Sequence, residues 1–63
     1  MDTYSFVLKS GTIISLKADK MFKRTETYEL VIAKTIIAEF FITEVAGYYI
    51  TIDPATLPRN YKK

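Results

Sequence analysis

Apolar and polar residues alternate from the start of the chain, with Tyr4, Phe6 and Leu8 on one side and Thr3, Ser5, Val7 and Lys9 on the other. Successive side chains of a strand point to opposite faces, so this period of two predicts a β-strand. After Ser10-Gly11 the alternation resumes, Ile14 and Leu16 against Ile13, Ser15 and Lys17, which predicts a second strand and a hairpin. Register chooses the turn. A two-residue loop would set Phe6 opposite Ser15 and split the apolar set between faces, because a slip of one residue inverts every side chain. A three-residue loop, Lys9-Ser10-Gly11, with the glycine in the left-handed conformation, sets Phe6 opposite Ile14 and Tyr4 opposite Leu16.

Residues 18–25 carry Asp19, Lys20, Lys23 and Arg24 and interrupt the alternation, which predicts a long connecting loop. The pattern returns with Tyr28, Leu30 and Ile32, then with Ile36, Ala38, Phe40 and Ile42, for a third and a fourth strand. The turn between them, near Ala33-Lys34, is poorly signalled. One helix over residues 26–45 is the alternative reading. Against it stand the clustered Val, Ile, Thr, Tyr and Phe, which lose rotamer freedom in a helix, and the fact that such a helix would be apolar all round. A fifth strand follows Gly47, with Tyr48, Ile50 and Ile52 in phase, and Pro54 and Pro58 exclude a continuing ladder.

The expectation is an all-β domain over residues 1–53, a five-stranded antiparallel meander forming a small barrel or a strongly twisted sheet, with a Pro-flanked basic C-terminal tail over 54–63. The even-numbered apolar residues, Ile36, Tyr48, Ile50 and Ile52 among them, supply the core face. The opposite face still holds Val7, Ile13, Val31, Ile37, Phe41 and Tyr49, too much apolar surface to leave wet. Self-association would cover it.

Size sharpens that expectation. A chain of 63 residues buries only about 60% of its unfolded surface, and the absence of cysteine and histidine removes disulfide and common zinc staples, leaving oligomerisation as the usual remedy. With 49% hydrophobic and 25% charged residues the composition is that of a folding chain. The first residues lack the basic and apolar regions of a secretory signal, and no apolar stretch approaches a membrane span, so a cytoplasmic setting without membrane contact is expected.

Chemistry narrows the field further. Ser5, Ser10 and Ser15 have no histidine or cysteine to act as a base, and Glu26, Glu29, Glu39 and Glu44 sit among Lys and Thr without clustering. Gly11 and Gly47 are isolated and build no phosphate-cradling loop. No catalytic, metal or cofactor site is expected. The net charge of +2 comes without a basic block. Lys20, Lys23, Arg24 and Lys34 with tyrosines such as Tyr49 and Tyr61 would suit a single-stranded nucleic acid, but one Asn and no Gln leave little to read bases. Met21 and Phe22, two large apolar groups within the basic segment, either fold over an open barrel end or anchor a protein partner, with Lys20, Lys23 and Arg24 as a polar rim.

Residues 4–14 (YSFVLKSGTII), 37–40 (IAEF) and 45–50 (VAGYYI) resemble short uncharacterised β-rich proteins of phages and prophages of low-GC Gram-positive bacteria. The resemblance implies a small accessory protein that binds and redirects or inhibits a host or phage protein. A non-catalytic interaction module is therefore the leading expectation. A small-barrel nucleic-acid binder and a structural virion accessory subunit are the alternatives.

Overall fold

The structure is a computed structural model and describes residues 1–54. The described residues form six strands, β1 (Asp2–Leu8), β2 (Ile13–Ala18), β3 (Lys20–Lys23), β4 (Thr27–Ile32), β5 (Thr35–Phe41) and β6 (Val45–Thr51), with a 3-10 turn at Ile42–Glu44 before the last. They build two three-stranded antiparallel sheets, ordered β2-β1-β6 and β3-β4-β5, and these do not close into a barrel. The all-β class is as expected, and the alternative helix over 26–45 is not formed. The tail expected over 54–63 lies, Pro54 apart, outside the described residues.

The first hairpin has the register that its apolar pattern demands. Tyr4 pairs with Leu16 and Phe6 with Ile14. The loop is Lys9-Ser10-Gly11: the Gly11 N–H donates to the Leu8 carbonyl at 2.8 Å and the Leu8 N–H to the Thr12 carbonyl at 2.8 Å. Gly11 has φ +96°, a conformation that costs a residue with a Cβ and costs glycine little.

The sixth strand is a correction to the expected loop over 18–25. Ala18 ends β2, fully buried, and after Asp19 alone the chain enters β3, where Met21 pairs with Leu30 and Phe22 with Glu29. Charge made this segment resemble a loop. Lys20 and Phe22 point away from the core while Met21 packs against it, so the period of two survives beneath the lysines.

Phe6 centres the core that joins the two sheets. It is fully buried, stacked on Phe40 with ring centroids 4.5 Å apart and tilted against Tyr28 and Tyr48 at 5.7 and 5.8 Å. Tyr4, Ala18 and Leu30 complete the buried cluster, and Leu16, Met21, Ile32, Ala38 and Val45 pack around it. The core is smaller than the even-numbered pattern implied. Ile36 leaves it because the β4–β5 register shifts between Leu30 and Val31: Leu30 faces Ala38, but Val31 faces Ile36, and Ile37 is the extra residue. Tyr48 and Ile50, on the core side of β6 opposite Phe6 and Tyr4, and Ile52, beyond the end of that strand, are exposed as well.

Candidate functional site

Asp19 organises the outer surface of the β3-β4-β5 sheet. Its N–H donates to the Val31 carbonyl at 2.9 Å, and its carboxylate accepts the Ala33 N–H at 2.9 Å. Ala33 and Lys34 form the two-residue connection between β4 and β5, both left-handed with φ of 50° and 69°. That pair of angles belongs to the type I′ hairpin turn, which ordinarily uses Asn-Gly. An aspartate at the β2–β3 junction thus holds a strained turn in place.

Between this turn and the β3–β4 connection runs a groove of about 440 Å³, lined by Asp19, Lys20, Phe22, Arg24, Glu29, Val31, Ala33, Lys34 and Ile36. Its apolar floor comes from three strands: Phe22 on β3, Val31 on β4 and Ile36 on β5. Ile36 reaches it only because of the register shift in β5. At one end the Arg24 Nε donates to Glu29 Oε1 at 3.1 Å, while the guanidinium lies 4.9 Å from the centre of the Phe22 ring, which places the ring between the strand and the cation.

Three cations therefore face two carboxylates in the groove, and both carboxylates are engaged, Glu29 by Arg24 and Asp19 by the Ala33 N–H. Among the described residues Lys20 and Lys34 have no ion-pair partner. The site joins an apolar floor to two uncommitted ammonium groups. A ligand with a large apolar group beside a carboxylate or other anion satisfies both at once.

Of the segment expected to meet a partner, Lys20, Phe22 and Arg24 line this groove, Met21 turns into the core, and Lys23 ends β3 opposite Tyr28. The apolar face expected to self-associate is divided. Val7 and Ile13 pair with each other on the β2-β1-β6 sheet, where Tyr49 lies opposite Ser5, whereas Val31, Ile37 and Phe41 belong to the β3-β4-β5 sheet. A single meander would have put all six on one side, and the passage through Asp19 separates them. Ile36 was expected in the core, and Lys34 entered only the surface expected for a nucleic acid, since nothing in the local sequence shows the turn folding back toward β3.

Elsewhere, the Ser5 and Ser15 hydroxyls hydrogen-bond each other at 2.8 Å across the first hairpin. Burial raises the Tyr4 phenol above its ordinary value of 10.0, with the charges of Asp2 and Asp19 adding to the effect. Among the described residues no cluster of three or more acidic or metal-binding side chains could hold a metal ion, and no helix is long and apolar enough to cross a membrane. No protein-family model matches the chain, and neither curated proteins nor solved structures show a significant similarity to it.

Proposed function

We propose that this chain is a non-catalytic protein-interaction module that takes a partner segment on the outer face of its β3-β4-β5 sheet. The observation that carries the reading is the groove in which Phe22, Val31 and Ile36 lie beside the unpaired Lys20 and Lys34. The partner it fits is a peptide segment with a bulky apolar side chain next to Asp or Glu. The apolar group supplies affinity by leaving water, and the lysines supply orientation and a faster encounter. The resemblance to phage and prophage proteins supports a host or phage protein as the bearer of that segment, to be redirected or inhibited.

Selection of a random peptide display library against the folded chain tests this reading. Enriched peptides should pair acidic with large apolar residues, and their binding should weaken at least tenfold on Lys20→Glu with Lys34→Glu and on Phe22→Ser, with melting temperature nearly unchanged. Peptides that bind equally well to those variants would refute it. So would a single-stranded oligonucleotide that binds and also requires Lys20, Phe22 and Lys34, which would move the chain to the nucleic-acid class.

A further inference from the structure

Four strands form the borders of the two sheets, and their composition differs in one respect. β2 contains Lys17, β3 contains Lys20 and Lys23, and β5 contains Glu39, whereas β6 has no charged residue from Val45 through Thr51 and no proline. Charges and prolines are what keep an open strand edge from recruiting another strand. Among the described residues β6 is paired on one side only, by β1. Its other side offers a row of backbone N–H and C=O groups. Tyr48 and Ile50 on the core side are 43% and 44% exposed, and Tyr49 on the outer side is 52% exposed.

We infer that β6 pairs antiparallel with β6 of a second copy across a two-fold axis, so that the sheet β2-β1-β6 continues into the partner's β6-β1-β2. Three observations select a second copy over another protein. Two chains of net charge +2 repel each other, and β6 is the edge strand at which they can meet with no like charges in opposition. An antiparallel edge complements itself, each copy giving the N–H and C=O groups that the other lacks. Moreover, Tyr48 and Ile50 face the core side and yet are 43% and 44% exposed, and a strand added alongside β6 brings side chains against them. The pairing thereby enlarges a core whose buried apolar residues, among those described, are Tyr4, Phe6, Ala18 and Leu30, which is little for a chain without staples. It uses Tyr49 from the apolar face anticipated for self-association and leaves the groove free, because that groove lies on the other sheet.

Light scattering of the full chain across a concentration series, together with amide hydrogen exchange over residues 45–51, tests the inference. The expected result is a mass of two chains that falls to one on dilution, with β6 amides better protected in the dimer. Tyr49→Lys places two cations near the axis and should weaken the dimer at least tenfold while the monomer keeps its strand spectrum. Gly47→Lys, also beside the strand centre and at a position where an added Cβ meets nothing within 4 Å, serves the same purpose where Tyr49→Lys unfolds. Lys20→Glu, in the groove, should leave the dimer unchanged. A monomer at all concentrations overturns the inference, as does a dimer indifferent to both lysine substitutions or broken by Lys20→Glu. An assembly larger than two copies also overturns it, because a two-fold edge is used up by one partner.

Discussion

The Ala33-Lys34 turn is where local sequence and structure disagree most, and the disagreement has a measurable size. Both residues are left-handed, at φ 50° and 69°, where an L-residue with a Cβ is disfavoured by roughly 1–2 kcal/mol. Asparagine tolerates this region because its short polar side chain bonds locally, and Asn at the first turn position keeps the N–H that donates to Asp19. Ala33→Asn should therefore stabilise the fold by about 1 kcal/mol, which for a domain of this size raises the melting temperature by roughly 4–8 °C. Lys34→Gly relieves the second position, but glycine also loosens the unfolded chain by about 0.4–1 kcal/mol, so its net gain should be smaller. Asp19→Ala removes the acceptor of the Ala33 N–H and should cost about 1 kcal/mol. Urea melts followed by circular dichroism measure all three, with a shifted midpoint at constant slope marking a true stability change. An unchanged or lower midpoint for Ala33→Asn would refute the reasoning, since the turn would then not hold its two residues in the strained region. Confirmation would mean that stability is spent on the rim of the groove, where strained backbone tends to gather.

The two glycines give a second, internally controlled prediction. A Cβ added at either would meet nothing within 4 Å, but only Gly11 has a positive φ, +96°; Gly11→Ala should lower stability by roughly 1 kcal/mol, and Gly47→Ala should leave it level or raise it by a few tenths of a kcal/mol, both read from thermal melts. A third prediction concerns alkaline pH. The folded state holds the Tyr4 proton above the ordinary value of 10.0, so between the unfolded and folded values the native chain binds more protons and stability falls as pH rises. This contribution is complete below about pH 10 and is lost as pH climbs through the raised folded value. Denaturant melts from neutral to alkaline pH should show a shallower decline for Tyr4→Phe than for the parent chain, and parallel declines would remove Tyr4 as a cause.

Much of the fold is written in short-range pattern. The alternation of Tyr4, Phe6 and Leu8 with Ile14 and Leu16, together with one glycine, is enough to specify the first hairpin and its register, because only one loop length keeps the apolar side chains together. The clustered Val, Ile, Thr, Tyr and Phe likewise specify strands over 27–51 rather than a helix. These choices depend on residues within about ten positions of one another, so the sequence by itself determined the class, most strand positions and the hairpin partners.

Tertiary structure decided the rest. Whether the segment 18–25 is loop or strand depends on whether Val31 and Leu30 are available to pair with it, and lysines on an outward face look the same in both cases. The extra residue Ile37 turns Ile36 from the core to the groove, a change that no period of two contains. Lys20, Phe22, Val31, Lys34 and Ile36 come together only because Asp19 carries the chain from one sheet to the other and then holds the far turn by its N–H. A local pattern says which way a side chain faces relative to its own strand; which strands adjoin, and where the sheet breaks, is set by long-range hydrogen bonds and packing that a single stretch of sequence does not encode.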